Sequence, residues 1–287
     1  MKSDPVFVRS IENGIWMCNV HGTLIDRDEA TYTPQLLRFW RQLAEWRADL
    51  RHKLGIDKVN LPAVEDGKDL PPFSVVLNMP DTDALHEAFR DSCLSQIWDA
   101  DLVNMVREFT AEVAMNAIQH GGATSVSLKI CWDRVELRDN GGDFSPFDLT
   151  ARTNGNGGFA ATAPLLDRLG DVVVTHFYDD GENVTSVGFL RRTENVRDFT
   201  DCVVEVKSSE NADEAFRLAA MFCSAHPNCD VVYVIAKNMM HSHTRHIEKH
   251  LGTLKDGQRA VLLSGTMSTS LRDYLRSKVP ALLVRSL

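Results

Sequence analysis

The segment from Ala100 to His120 constrains the fold most, because apolar and polar residues recur on it at helical spacing. Its predicted buried face consists of Val106, Phe109, Val113 and Ala117. Beside that face, Glu112, Asn116 and His120 recur every fourth residue, a step that drifts by only about 40° around a helix. Half-buried polar groups need ligands or hydrogen bonds, since each unsatisfied one costs about 1–3 kcal/mol. A solvated helix edge is the alternative interpretation of this motif taken alone.

Two alternating segments follow the helix and end in a glycine-rich turn. The alternation from Val126 to Trp132 continues through Val135 to Leu137, which predicts a half-buried β-hairpin. Asp139 then stands at the end of the second strand, before Asn140-Gly141-Gly142. An aspartate fixed there can accept a hydrogen bond from an exocyclic amine, and glycine lets a flat ring approach the backbone, which suits adenine. A plain Asp-Asn-Gly turn is the alternative.

A second glycine-rich stretch, NGNGGF, runs from Asn154 to Phe159 and precedes a predicted helix. Backbone N–H groups of such a turn can cradle phosphate groups. Arg152 either adds a positive charge to this loop or is a surface residue.

Together, the order and spacing of these motifs resemble the GHKL ATPases, the superfamily of histidine kinases, gyrases, heat-shock ATPases and MutL-type proteins. EVAMNAIQH resembles the N box, DNGGDFSPFD the first glycine box and NGNGGF the lid. Within the superfamily, the short lid and the F-x-P-F-D-like ending look most like the anti-sigma-factor serine kinases. The resemblance covers about residues 72–193 and implies a Bergerat-type two-layer α/β sandwich that binds ATP and Mg²⁺.

The resemblance also implies a role for each matching residue. Asn116 would coordinate Mg²⁺, and Glu112 would orient or deprotonate the attacking hydroxyl or water. His120 stands where the family often has a phosphate-facing basic residue. Asp139 would hold the adenine amine, and Gly141 would admit the ring. The residues that would let the lid close on the phosphates are Gly155, Gly157 and Gly158, with Arg152 nearby.

Two positions depart from the family pattern and bear on whether ATP is turned over. Asp143 stands where the first glycine box often has its second glycine, and Pro164 interrupts the start of the helix after the lid.

The resemblance is compatible with three functions. The first is an anti-sigma-type protein-serine/threonine kinase with Glu112 as base and a separate protein as phosphoacceptor. The second is a nucleotide-gated switch in which ATP orders the segment Asp143 to Gly158. The third is an ATPase subunit of a multi-protein stress or defence system.

The flanking segments predict two further regions. Residues 1–71 are predicted to form short strands near residues 6–25, a helix from Pro34 to Leu54 and a proline-flanked linker. The helix packs on the ATPase domain or pairs with a second copy in a homodimer, and its periodicity leaves both open. Residues 194–287 alternate strands with helices, which predicts a small α/β domain of mostly parallel strands.

Composition limits the partners. A formal charge of −9 without a Lys/Arg block argues against nucleic acid, so we expect a protein partner. No apolar run suits a membrane span or a signal peptide, which predicts a cytoplasmic location.

All six cysteines are expected to be buried thiols. The histidines between His241 and His250 are interpreted as a polar helix face, with a metal site as the alternative. The segment Ser264-Gly265-Thr266 is interpreted as a turn or a ligand loop.

Overall fold

The computed structural model of the protein describes residues 14–54, 72–77, 81–150, 157–207, 211–252, 254, 258–279 and 282–286. The chain is of mixed α/β class and divides into two compact units, Met1–Pro71 and Pro72–Leu287. No helix within these ranges has the length and apolar character needed to cross a membrane.

The first unit contains two helices, α1 (Asn19–Arg27) and α2 (Pro34–Leu54). The bounds of α2 are those predicted, and its N-terminus is capped by Thr33, whose Oγ1 accepts a hydrogen bond from the N–H of Leu36 at 3.3 Å. The prediction of strands up to residue 25 is wrong for the described part of that segment, which has no regular secondary structure from residue 14 to Cys18 and is helical from Asn19. None of the residues of α1 is buried, so its sequence lacks the periodic apolar face from which a helix is predicted. The predicted strand before residue 14 lies outside the described residues.

Five strands of the second unit form an antiparallel sheet in the order β1-β2-β3-β5-β4. The strands are β1 (Phe73–Leu77), β2 (Val126–Ile130), β3 (Arg134–Asp139), β4 (Val172–Asp179) and β5 (Glu182–Phe189). The helices of this region are α3 (Thr82–Asp91), α4 (Ala100–Gln119) and α5 (Gly157–Leu166). The predicted hairpin is confirmed as β2 and β3, with Leu128 opposite Leu137. Helix α4 packs on this pair and buries the predicted face that includes Val106 and Phe109.

The remaining four strands form a parallel sheet in the order β6-β7-β8-β9. The strands are β6 (Val203–Val206), β7 (Val231–Ala236), β8 (Arg259–Ser264) and β9 (Leu282–Ser286), and the helices are α6 (Ala212–Ala225), α7 (Thr244–Leu251) and α8 (Thr269–Lys278). The predicted alternation of strands and helices is therefore confirmed. On β7, Val232 and Val234 share one core with Phe216 of α6, Ile247 of α7 and Leu275 of α8.

The opposite face of the parallel sheet is buried against the region of β4. A Cβ on Gly170, which precedes β4, would lie 2.4 Å from Cγ of Arg285 on β9 and 3.1 Å from Leu263 on β8. Tyr233 of β7 is buried beside the backbone of Val174, and this burial raises the pKa of its phenol. The predicted boundary between residues 193 and 194 thus falls inside one compact unit whose two sheets are in direct contact.

The prediction that every cysteine is a buried thiol is confirmed only for Cys223, since the free thiols Cys93 and Cys131 are half-buried and the other three positions differ more strongly. Cys202 and Cys229 form a disulfide with an S–S distance of 1.98 Å, and Cys18 is exposed. The two bonded residues lie just before β6 and β7, which are neighbours in the parallel sheet. Because parallel pairing brings the starts of adjacent strands together, the disulfide follows from a strand order that spacing along the chain does not reveal.

Candidate functional site

The polar edge of α4 contains a hydrogen-bonded pair, Glu112 and Asn116. Asp99 caps the helix by accepting a hydrogen bond from the N–H of Leu102 at 2.9 Å. Asn116 Nδ2 donates to Glu112 Oε1 and to the Glu112 carbonyl oxygen, each at 2.8 Å. Both side chains are half-buried, so the pair satisfies part of their hydrogen-bonding capacity and fixes the orientation of the carboxylate.

His120 lies at the other end of this predicted ribbon. It follows the last residue of α4, its side chain is exposed, and its backbone N–H donates to the Asn116 carbonyl oxygen at 2.9 Å. The structure therefore joins Glu112 and Asn116 through their side chains and His120 to Asn116 through the backbone.

Asp139 is 5% exposed and ends strand β3, as predicted. Its Oδ1 accepts two hydrogen bonds, one from the Gly141 N–H at 3.0 Å and one from Asn183 Nδ2 at 2.9 Å. Hydrogen bonds to an ionised oxygen are stronger than neutral ones, so both fix the carboxylate in place. Since both donors among the described residues bind Oδ1, Oδ2 is the acceptor that a ligand could use.

Asn183 is the residue of this site that the sequence interpretation missed. Its Nδ2 also donates to the Gly142 carbonyl oxygen at 2.9 Å, and its Oδ1 accepts from the Phe144 N–H at 3.2 Å. It is directly opposite Asp139 in the pairing of β3 with β5. A buried asparagine beside hydrophobic residues of a strand is the available signal, but its partner could be named only once β5 was known to pair with β3.

The turn after Asp139 packs tightly on the end of α4. Gly142 N–H donates to the Gly121 carbonyl oxygen at 2.8 Å, and a Cβ on Gly141 would lie 3.0 Å from that oxygen and 2.9 Å from Asp139 Oδ1. Gly141 is buried, so a larger residue would push this turn away from the helix. The close packing of the turn on α4 therefore requires a glycine at position 141, independently of the predicted approach of an adenine ring.

On the other side of the turn, Asn140 Oδ1 accepts hydrogen bonds from the N–H groups of Thr124 and Ser125 at 2.9 and 3.0 Å. These bonds fasten the turn to the segment that enters β2.

Helix α5 begins against the carboxylate of Glu112. A Cβ on Gly158 would lie 3.0 Å from Glu112 Oε1 and 3.1 Å from Leu149 Cδ2. Gly157 is the first residue of α5, so the N-terminus of the helix, where backbone N–H groups carry partial positive charge, adjoins a carboxylate. The predicted lid residues Arg152 and Gly155 lie outside the described residues.

The prediction that Pro164 interrupts the start of the helix after the lid is wrong. It is the eighth residue of α5, which ends at Leu166, so it lies within the last turn. A proline there removes one N–H donor and leaves the first turn of the helix intact.

His176 extends this polar face along the sheet. Its Nδ1 lies 3.0 Å from Thr185 Oγ1, and the two residues are paired across β4 and β5 on the same face as Asp139 and Asn183. Burial lowers the pKa of His176, an effect opposed by the carboxylates of Asp143, Asp139 and Asp148. The neutral imidazole is therefore favoured.

The histidine-rich segment before and within α7 meets a carboxylate from another helix. Asp213 Oδ1 lies 2.9 Å from His250 Nε2, 3.0 Å from His246 Nδ1 and 3.0 Å from Lys249 Nζ. Hydrogen bonds from His250, Lys249 and His246 lower the pKa of Asp213. Across the described residues, no group of three His, Cys, Asp or Glu side chains is arranged to hold a metal ion. The cluster connects α6 to α7.

Ser264 is the last residue of β8, and Gly265-Thr266 follow the strand. Ser264 is fully buried, and Thr266 Oγ1 donates to the Lys237 carbonyl oxygen at 3.0 Å. This bond joins the carboxyl ends of β7 and β8.

No protein-family model matches the chain, and no curated protein gives a significant match.

Proposed function

We propose that residues 72–193 form a Bergerat-type two-layer domain that binds ATP and Mg²⁺ and regulates a protein partner. The observation that carries the proposal is the fixed carboxylate of Asp139, with Oδ1 satisfied by two donors and Oδ2 left to accept a hydrogen bond. The exocyclic amine of adenine is a donor that matches this acceptor. Asn183 and Gly141 hold the carboxylate in position through their hydrogen bonds to Oδ1.

The donor set of α4 fits a magnesium ion. Both hydrogen bonds that Asn116 makes to Glu112 use its amide nitrogen, which leaves Oδ1 to serve as a ligand. Amide and carboxylate oxygens are hard ligands of the kind that Mg²⁺ prefers. When bound beside phosphates, the ion would neutralise their negative charge.

Glu112 is the candidate catalytic residue of the proposed site. Asn116 orients its carboxylate, which adjoins the N-terminus of α5, the helix that begins with the lid residues Gly157 and Gly158. In this position Glu112 would accept a proton from an attacking hydroxyl or water. A protein-serine/threonine kinase and an ATPase both need that proton acceptor, whereas a nucleotide-gated switch needs only binding.

Thermal unfolding with and without ATP–Mg²⁺ tests the binding proposal. ATP at about 100 times its Kd would add about 2.7 kcal/mol to the free energy of unfolding of the wild-type protein. Asp139→Asn should lose most of this stabilisation, because the substitution replaces a carboxylate oxygen with a donor. The matched control is Asp133→Asn, located just before the other end of β3. Equal stabilisation of all three proteins would refute the assignment of Asp139.

Labelled ATP then separates the three functions. The protein is incubated with γ-labelled ATP and Mg²⁺, with and without cell extract. Transfer of label to another protein supports a kinase, release of free phosphate supports an ATPase, and binding with neither supports a switch. ATP binding would reach the C-terminal region through the contact between the parallel sheet and the segment that enters β4.

A further inference from the structure

A cleft of about 260 Å³ opens between β4 and the starts of β6 and β7. One side is formed by residues 174–177 of β4, and another by residues 199–202 and 228–231, which include the Cys202–Cys229 disulfide. Its volume lies just below the range of about 300–1,000 Å³ that is usual for ligand pockets, so its ligand would be small. Phe147, from the turn that precedes the lid, completes the wall.

Negative charge dominates the lining of this cleft. Asp201 and Asp230 contribute carboxylates, and none of the described residues that line it is a lysine or an arginine. Burial and the nearby carboxylate of Asp148 raise the pKa of Asp230, and together they outweigh the opposing effect of Arg259. A carboxylate in these surroundings would be stabilised by a positively charged group.

Aromatic rings supply the second element of cation recognition. Phe147, Phe177 and Phe199 all line the cleft, and the face of a phenylalanine ring attracts ammonium and guanidinium groups. The protein already uses this contact next to the cleft, where the guanidinium of Arg134 lies 4.8 Å from the centre of the Phe199 ring. Phe177 is 50% exposed, so a ligand that covered its ring would also bury apolar surface.

Two aspartates and three phenylalanines in the lining of one small cleft define the chemistry of the ligand. We propose that this cleft binds a guanidinium or alkylammonium group, which comes from a small free cation or from a basic side chain of a protein. Asp230 and Asp201 provide the counter-charge, and the phenylalanine rings enclose the alkyl or planar part. The inference does not depend on nucleotide binding, and its test contains no nucleotide.

The experiment is a titration of the oxidised, full-length protein followed by amide chemical shifts. The probes are methylguanidinium and n-butylammonium, with N-methylurea and n-butanol as neutral counterparts at matched ionic strength. At pH 8, where Asp230 is more fully ionised than at lower pH, the cations should shift the amides of residues 174–177 and 228–231. The neutral counterparts should shift them far less. An equal response to cations and neutral compounds would overturn the proposal.

Two variants test the assigned residues. Asp230→Asn should weaken cation binding by at least about tenfold, because a hydrogen bond to an ionised group is lost. Asp179→Asn, an exposed carboxylate at the end of β4 outside the cleft, is the matched control and should bind as wild type does. Should Asp230→Asn fail to fold, Phe177→Ala provides the decisive measurement, since its half-exposed ring can be removed with little effect on the core. Wild-type affinity in a folded Asp230→Asn protein, or in Phe177→Ala where Asp230→Asn does not fold, would refute the site.

The source of the cation is distinguished with a capped tripeptide, Ala-Arg-Ala. Binding of the peptide at least about tenfold tighter than methylguanidinium would indicate a basic side chain of a protein, because contacts on both sides of the arginine would then add to the affinity. Equal or weaker binding would indicate a small free cation.

Discussion

Asn183 Nδ2 lies 2.9 Å from Asp139 Oδ1 and joins the beginning of β5 to the end of β3 in the interior of the protein. The same amide group holds the Gly142 carbonyl oxygen and the Phe144 N–H. One side chain therefore fixes both the proposed adenine acceptor and the turn that follows it.

Asn183→Ala should lower the free energy of unfolding by about 2–3 kcal/mol, because it leaves buried hydrogen-bonding groups without their partner. It should also weaken ATP binding by about tenfold, since Asp139 would no longer be held in one orientation. Urea unfolding and calorimetric ATP titration measure the two effects. Asn195→Ala is the control, because the Nδ2 of Asn195 donates to Asp198 Oδ2 at an exposed position. Unaltered ATP affinity in a destabilised Asn183→Ala protein would limit Asn183 to a structural role.

Asn116→Ala should lose the Mg²⁺-dependent part of ATP binding, because the amide oxygen proposed as the metal ligand is removed. ATP titrations with Mg²⁺ and with EDTA isolate that part. The variant also frees the Glu112 carboxylate, so Asn116→Asp, which keeps an oxygen ligand, serves as the matched variant. An Mg²⁺-dependent thermal shift in Asn116→Ala equal to that of wild type would exclude Asn116 as a ligand.

Glu112→Gln should retain ATP binding and lose phosphate release or transfer, because an amide cannot accept the proton. The variant keeps the size of the side chain and a hydrogen-bonding oxygen for Asn116. Phosphate release and ATP affinity are measured on the same preparation. Loss of binding would instead assign Glu112 a structural role beside the start of α5.

Replacing both Cys202 and Cys229 with serine should lower the free energy of unfolding of the second unit by about 3.5 kcal/mol. The closed loop spans 27 residues, and the estimate follows from the loop entropy that the bond removes from the unfolded chain. Chemical denaturation in oxidising buffer measures the change, and reduction of the wild-type protein should reproduce it. Cys18→Ser, exposed and located in the other unit, should change stability by less than about 0.5 kcal/mol. Equal stability of the double variant and wild type would show that the bond is not a stabilising constraint.

Asp213→Asn should destabilise the protein at neutral pH but not in strong acid. In the folded protein, hydrogen bonds from His250, Lys249 and His246 lower the pKa of Asp213 from its ordinary value of 3.8. A carboxylate with a lowered folded pKa contributes stability that is fully present above 3.8 and is lost as the pH falls below that value. Urea unfolding at pH 7, 5, 3 and 2 should show the difference from wild type shrinking only below about pH 4. Asp273→Asn, on the exposed side of α8, is the control, and a pH-independent difference for Asp213→Asn would contradict the linkage.

The features predicted well from the sequence are those decided by local periodicity. The apolar spacing of Pro34–Leu54 predicted α2, with its ends set by Thr33-Pro34 and by Gly55, and the alternation around Leu128 and Leu137 predicted the β2–β3 hairpin. Helix α1 was missed because it buries none of its residues and contains Gly22, so neither burial pattern nor helix propensity distinguished it.

The features that were missed depend on contacts between distant segments. Asn183 meets Asp139 across 44 positions, and Asp213 meets His250 across 37. Sequence periodicity predicts which face of a helix or strand is buried, but the identity of its neighbour depends on strand order and helix packing. For the same reason, the disulfide could not be predicted from the spacing of its cysteines.

The close approach of Gly170 to Leu263 and Arg285 leads us to expect that the second unit unfolds cooperatively. A fragment that stopped after residue 193 would leave the turn before β4 without its cover, and the parallel sheet alone would expose the face that carries Tyr233. Calorimetry of residues 72–287 should therefore record one melting transition, with both sheets lost together. We therefore expect the two sheets to unfold together. A variant of the protein that lacked or exchanged one of them would need another surface to cover the face that the missing sheet now buries.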